Sequence, residues 1–223
     1  MGMNGKLNYG WTTSWGTSTR MMGGLFMTHS DDDGLVLPPM VAPYQIVIIP
    51  ITREENEKEL NDWANKLGEQ LRVLGIRVLV DDTDMRAPDK MWKWIKRGVP
   101  LRVEIGAREM DEKTLTVTRR DLGKSSKVTV AVEHFINDAK NMLDTIQHDM
   151  LVAVEKRNKT LITNVDSLQE LESALEAGKI GFFRIKYEQT TNEEFDGLIE
   201  KYKISRRCLD DKDPTFVFVA KSY

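Results

Sequence analysis

The chain has 223 residues, of which 40% are hydrophobic and 30% are charged, so it can bury a sizeable core and is not a disordered chain. It lacks a run of about 18 apolar residues, an apolar signal segment near Met1 and any cysteine besides Cys208. We therefore expect no transmembrane helix, no secretory signal and no internal disulfide. We expect a soluble protein of one or two domains from a reduced, cytoplasm-like compartment.

The net charge of −3 conceals a basic segment. Residues 86–127 carry twelve basic and six acidic side chains, a local charge of +6 that leaves −9 for the rest of the chain. A basic patch on an acidic body suits a selective binder of nucleic-acid phosphates, because the acidic remainder repels non-specific contacts. A solvated basic face without a ligand is the alternative.

The first 42 residues end in a helix and a turn. A helix is predicted over residues 20–29, and its nearly continuous apolar residues predict burial on most sides. The sequence Asp31-Asp32-Asp33-Gly34 then breaks the helix, and residues 35–39 form an extended exit. No compact core fits in this stretch, which indicates the end of a larger domain.

From Pro43 onward, strands and helices alternate. The first apolar run, the amphipathic helix after it and the next strand form a βαβ unit with a right-handed crossover. The elements predicted for this part are, in chain order, strand 45–51, helix 54–74, strand 76–80, helix 91–97, strands 101–105 and 114–119, a strand beginning at 127–130, and helix 132–157.

The last third of the chain, from about Leu161, is predicted to be a separate part. Its predicted elements are helix 168–177, strand 180–185, helix 195–202 and strand 215–220.

The most unusual peptide is Thr12-Thr13-Ser14-Trp15-Gly16-Thr17-Ser18-Thr19-Arg20. Small hydroxyl residues and a glycine let the backbone approach a ligand closely, and an arginine that opens a helix can clamp a phosphate. A helix cap without a ligand is the alternative.

This peptide also carries a family resemblance. It resembles motif 3 of a class II aminoacyl-tRNA synthetase, together with Gly23-Gly24, Thr28-His29, Asp31-Asp32 and residues 34–39. The particular sequence of the motif is similar to that of prolyl-tRNA synthetase of the archaeal and eukaryotic-like type. The likeness continues through residues 98–106, 119–121 and 178–180 to Lys221-Ser222-Tyr223, which resembles the closing tyrosine of the family.

The resemblance implies an α/β fold in three parts. Residues 1–42 would be the end of the class II catalytic domain, a strand–helix remnant that holds motif 3. Residues 43–140 would be the anticodon-binding domain, a mixed five-stranded sheet flanked by helices. Residues 141–223 would be a small α/β C-terminal domain, similar to the zinc domain of the family.

The resemblance also implies roles for two groups of residues. In the first, Arg20 is the catalytic residue that holds ATP phosphates, Ser18 is a further ATP contact, and Trp15 and Gly16 help to form the floor of the proline pocket.

The second group consists of the expected anticodon-binding residues Lys96, Arg97 and Arg102. Guanines are expected in the anticodon, and arginine pairs well with the O6 and N7 edge of guanine. Arg119 and Arg120 fit either RNA contact or an exposed strand face.

Departures from the family pattern matter too. Trp94 is followed by Ile95 where the family usually has a glutamate, so an acceptor for a guanine edge is missing and anticodon specificity is in doubt. Of the four cysteines that hold zinc in many members only Cys208 is present, and Lys186 stands near another ligand position. One thiolate cannot build a tetrahedral site, so we expect no zinc and no other bound metal apart from Mg²⁺ with ATP.

We therefore predict a part of prolyl-tRNA synthetase that supplies motif 3 and anticodon binding. The implied ligands and partners are ATP, L-proline, tRNA(Pro) and the N-terminal catalytic half with motifs 1 and 2, without which the chain is expected to be inactive. A homodimer is possible, and neither a membrane nor DNA is expected as a partner. Two alternatives are a non-catalytic tRNA-binding or regulatory module and a protein-interaction module anchored by Trp92 and Trp94.

Overall fold

The computed structural model describes residues 12–53 and 55–222. The chain forms two compact units, which divide between Met150 and Leu151. Two of the sequence expectations, a helix starting at Glu54 and the role of Tyr223 as the closing tyrosine, fall outside the described residues.

The first unit begins with helix α1 (Arg20–Thr28) and a small antiparallel hairpin of β1 (Ser30–Asp31) and β2 (Gly34–Leu35). The hairpin turn depends on the Asp31 carboxylate, which accepts the backbone N–H groups of Asp33 and Gly34 at 3.0 and 3.1 Å. The expectation that α1 is buried on most sides is wrong for the described part of the chain, where none of its residues is fully buried. Met21 and Met27 on this helix are 71% and 83% exposed.

A mixed five-stranded sheet forms the centre of the first unit. The strands β3 (Ile46–Pro50), β4 (Val78–Val80) and β5 (Leu101–Ile105) are parallel, and β6 (Thr114–Arg119) and β7 (Val128–Ala131) continue the sheet in antiparallel fashion. The strand order is β4-β3-β5-β6-β7. The predicted α/β class and the five-stranded mixed sheet are confirmed.

The two faces of this sheet are covered differently. Helices α2 (Glu57–Val73) and α5 (Val132–Thr160) contribute to the large apolar core on one face, with Leu67 and Phe135 among its fully buried residues. Helix α3 (Ala87–Lys96) lies on the other face, where Trp94 packs against Val47 and Ile49. Burial of these side chains is the main stabilising term for the unit.

Helix α3 starts four residues before the predicted helix, because Pro88 lies in its first turn. A proline is well tolerated there, since the N–H that it lacks would have no partner within the helix. A further short helix, α4 (Ala107–Glu112), follows β5 and was not predicted.

The second unit is a four-stranded sheet with two helices. Its strands β8 (Ile162–Asn164), β9 (Phe182–Lys186), β10 (Ile204–Leu209) and β11 (Phe216–Lys221) lie in the order β10-β11-β9-β8. Helices α6 (Leu168–Glu176) and α7 (Glu193–Tyr202) pack on it around Phe183 and Phe195. Among the helices in the described part of the chain, none is long and apolar enough to cross a membrane.

Candidate functional site

Helix α3 is anchored by a buried carboxylate. Asp81, directly after β4, accepts hydrogen bonds from the Trp94 indole N–H at 2.5 Å, the Thr83 hydroxyl at 2.5 Å and the Lys93 ammonium at 3.0 Å. The Lys90 ammonium donates to the Asp81 backbone carbonyl at 3.0 Å. Two basic residues of the basic segment are therefore used to hold α3 on the sheet.

These contacts change the acidity of Asp81. Burial alone would raise the pKa of its carboxyl, but hydrogen bonds from Thr83, Lys93 and Trp94 outweigh burial and lower the pKa from 3.8 to about 2. The ionised form is thus favoured in the folded protein.

Acid is therefore expected to weaken the first unit through Asp81. Because the folded pKa lies below the unfolded one, the stabilisation is complete above about pH 4 and is lost as the pH falls towards 2, by about 2 kcal/mol in total. Urea unfolding at a series of pH values, compared between the wild type and Asp81→Asn, measures this contribution. A difference between the two that does not change between pH 5 and pH 2 would contradict it.

Half of the basic residues in the basic segment are neutralised by ion pairs. Six of its twelve basic residues form ion pairs with acidic side chains: Arg86, Lys93, Arg108, Arg119, Arg120 and Lys127. Three of the partners, Asp31, Asp81 and Asp149, come from outside the segment. The free positive charge is therefore smaller and more localised than the sequence count indicates.

Lys96 and Arg97 are the basic residues left exposed at the carboxyl end of α3. Neither forms an ion pair within residues 12–53 and 55–222, and the Arg97 guanidinium lies 5.0 Å from the centre of the Trp94 ring. The structure thus presents two of the three predicted anticodon-binding residues to solvent, on a helix end that the Asp81 contacts hold in place.

The third predicted residue, Arg102, is buried without a partner. It lies on β5 on the α3 face of the sheet, directly opposite Thr118 of β6, and only 5% of it is exposed. The buried Arg102 Nε and Thr118 Oγ1 both lack a hydrogen-bond partner among the described residues. Burial lowers the pKa of Arg102, and the negative charge of Glu104 offsets only part of this effect. Buried polar groups are rarely left unsatisfied, so these two atoms are open to a partner that the described residues do not supply.

Arg119 and Arg120 have structural roles, so the alternative of an exposed strand face is wrong for both. Arg119 bonds to Asp121 and Asp149 at 2.7 Å each. Arg120 is buried, donates to both carboxylate oxygens of Asp31 at 2.7 and 2.5 Å, and bonds to the Ile95 carbonyl at 3.1 Å. The bond from Arg120 is also the main reason that the pKa of Asp31 is lowered.

Trp92 and Trp94, the two residues considered as an interface anchor, differ in their exposure. Trp94 is fully buried in the α3–sheet contact, whereas Trp92 is about half exposed. Trp94 is therefore not available to a partner, either protein or RNA.

The predicted ATP- and proline-binding residues lie on the surface. Trp15 is 95% exposed, Ser18 and Arg20 are exposed, and Gly16 has no atom within 4 Å of its would-be side chain in the described structure. Arg20 begins α1, which suits a phosphate ligand, but the described residues supply no wall around it. This segment alone therefore offers no enclosed nucleotide pocket.

No group of three or more His, Cys, Asp or Glu residues that could hold a metal ion occurs in the described parts of the chain. Cys208 lies exposed on β10, and Lys186 ends β9.

Comparison with known proteins agrees with this architecture. Residues 45–142 match the family described as the anticodon binding domain. The chain is 37% identical over 221 residues to the proline–tRNA ligase of Bdellovibrio bacteriovorus and 38% identical over 215 residues to that of Akkermansia muciniphila. These matches cover 94% and 93% of this chain but 44% and 42% of the relatives, so the chain spans less than half the length of the curated relatives it matches.

Solved structures give the same result. Prolyl-tRNA synthetase of Cryptosporidium parvum, complexed with L-proline and AMP, superposes with a TM-score of 0.78 at 26% identity, covering 92% of this chain and 46% of that one. The Giardia lamblia enzyme in complex with prolyl-adenylate gives a TM-score of 0.81 at 26% identity, covering 92% and 47%.

The fold and the match thus define an anticodon-binding domain of the kind found in aminoacyl-tRNA synthetases. The homologues are prolyl-tRNA synthetases, and the chain belongs to that family as the counterpart of the C-terminal portion of these enzymes.

Proposed function

We propose that this chain binds the anticodon of tRNA(Pro) as part of a proline–tRNA ligase. The observation that carries the proposal is the Arg102 side chain of the anticodon-binding domain, whose Nε has no hydrogen-bond partner among the described residues. A guanine edge offers two acceptors, O6 and N7, to a guanidinium, so a guanine would supply hydrogen bonds that Arg102 does not find within the described chain.

Lys96 and Arg97 complete this anticodon site. Both are exposed at the end of α3, and the loop that follows leads over Gly98 into β5, which carries Arg102. Exposed cations beside a base-reading group suit the RNA phosphates, whose contacts supply affinity while base contacts supply specificity. Ile95 offers no side-chain acceptor, so base discrimination in this proposal depends on donors.

The proposal extends to the reaction of the relatives, in which ATP and L-proline give a prolyl-adenylate and then prolyl-tRNA. Arg20 would hold phosphate oxygens of ATP with its bound Mg²⁺, stabilising the charge that develops on the attacked phosphate, and Ser18 would contact the nucleotide. Trp15 and Gly16 would form part of the proline pocket. The exposure of all four residues supports a division in which the N-terminal catalytic half supplies the remaining walls. From the family resemblance we infer three functional parts, residues 1–42, 43–140 and 141–223.

Arg102→Met is the substitution that tests the anticodon site. Binding of a fluorescent tRNA(Pro) anticodon stem-loop is expected to weaken about tenfold or more, since a good bidentate pair contributes about 1–3 kcal/mol. The free energy of unfolding is expected to stay the same or to rise by about 1 kcal/mol, because a buried charge without a partner is removed.

The matched control is Arg119→Met on the neighbouring strand. Arg119 already has two carboxylate partners, so its loss is expected to lower the free energy of unfolding by about 1–3 kcal/mol. An Arg102→Met chain that is destabilised to the same degree and binds RNA as well as the wild type would contradict the proposal, because Arg102 would then have a structural role only.

A further inference from the structure

The β1–β2 hairpin lies in backbone contact with the carboxyl end of α3. Gly34 has a φ of +136°, and a Cβ there would come within 2.6 Å of the Lys96 Cα. Gly98 has a φ of +71°, and a Cβ there would come within 2.6 Å of the Leu35 carbonyl carbon. Only glycine allows both the backbone conformation and this approach, so the two segments meet without intervening side chains.

One guanidinium joins these two segments. Arg120 holds both carboxylate oxygens of Asp31 in the hairpin and the carbonyl of Ile95 in the last turn of α3. The Leu37 N–H adds a bond to the Gly98 carbonyl at 3.1 Å. A bidentate arginine–carboxylate pair fixes orientation as well as distance, so movement of either segment alters the geometry of the other.

The hairpin is in turn continuous with α1. The Ser30 hydroxyl donates to the Phe26 carbonyl at 2.5 Å, and the Val36 N–H donates to the His29 carbonyl at 2.8 Å. Since Arg20 is the first residue of α1, a hairpin fixed on α3 also fixes the helix that carries Arg20.

We propose that Asp31 and Arg120 are positioning residues that couple RNA binding at the end of α3 to the placement of the hairpin and α1. The inference rests on the proposed function, because it takes the RNA to bind beside Lys96 and Arg97. RNA that binds better when the hairpin is docked stabilises the docked form, and by thermodynamic reciprocity the docked hairpin strengthens RNA binding by the same factor.

Hydrogen exchange of the 223-residue chain, with and without a tRNA(Pro) anticodon stem-loop, tests this coupling. In the wild type, RNA is expected to slow exchange of the Val36 and Leu37 amides at least about fivefold. Asp31→Asn keeps the Oδ1 atom that caps the turn but removes the charge and the second strong acceptor for Arg120. In this variant the slowing is expected to disappear, and RNA affinity is expected to fall by a similar factor.

Asp149→Asn is the matched control. Asp149 pairs with Arg119, the neighbour of Arg120, and its side chain is 47% exposed, against 48% for Asp31. This variant is expected to keep both the slowing and the affinity.

The outcomes separate the two proposals. An Asp31→Asn chain that binds RNA and slows exchange as the wild type does would overturn the coupling alone, because the RNA would then cover the hairpin directly. A wild-type chain that does not bind the stem-loop would overturn the proposed function, and the coupling with it.

Discussion

Reversing the charge of both Lys96 and Arg97 to glutamate is expected to weaken binding of the tRNA(Pro) anticodon stem-loop about 100-fold. The two cations are the exposed basic residues at the end of α3, while Lys90 and Lys93 on the same helix are bound to Asp81. A loss of about 1.5 kcal/mol at each position gives this factor, and new repulsion of phosphates adds to it. Fluorescence anisotropy with a labelled stem-loop measures the change, at one fixed salt concentration because affinity depends on salt.

The matched control reverses the charge of Lys58 and Lys66 to glutamate. Both are exposed on α2, the helix on the opposite face of the sheet. The change in net charge is the same, so any long-range effect is common to both variants. If the control weakens binding as much as the α3 variant, the RNA is attracted by overall charge, and the assignment of the site to α3 is wrong.

Asp81→Ala is expected to lower the free energy of unfolding of the first unit by about 3–5 kcal/mol. The substitution leaves the buried Trp94 indole N–H without its acceptor and Lys93 without its counter-ion. Removing one partner of a buried charged network has this magnitude, because the remaining groups stay desolvated and unpaired. Since the contacts of Asp81 hold α3, RNA affinity is expected to fall as well.

The neighbouring Asp82 provides the control. It is exposed, and Asp82→Ala is expected to change the free energy of unfolding by no more than about 0.5 kcal/mol. Urea denaturation followed by circular dichroism compares the free energies of unfolding of the two variants. Equal stability of the two variants would show that the carboxylate does not anchor the helix.

The sheet and the long helices were predictable because their apolar spacing is regular. The run Ile46–Pro50 and the periodic apolar residues of α2 gave the βαβ unit within a few residues. Short elements were missed because they carry little pattern: β10 contains two adjacent arginines, and α4 has only six residues. The burial of α1 was overestimated because a sequence pattern indicates an apolar face but not whether anything covers it.

The candidate site was predictable in its residue types but not in their environments. Lys96, Arg97 and Arg102 came from the family resemblance, and nothing local distinguishes the paired Arg120 from the unpaired Arg102. Their difference depends on Asp31, which lies 89 positions from Arg120 in the sequence, and on the strand register that places Arg102 opposite Thr118. Long-range pairing of this kind leaves no periodic signal, so charge counts overestimated the free basic surface.

Exchanging anticodons between tRNAs tests most directly whether this chain recognises the anticodon of tRNA(Pro). The dissociation constant of the purified chain is measured for tRNA(Pro), for tRNA(Pro) with its anticodon guanines replaced, and for an unrelated tRNA that carries the proline anticodon. We predict that replacing the guanines weakens binding about tenfold or more, and that the transplanted anticodon restores most of the affinity. Equal affinity for all three RNAs would contradict anticodon recognition by this chain.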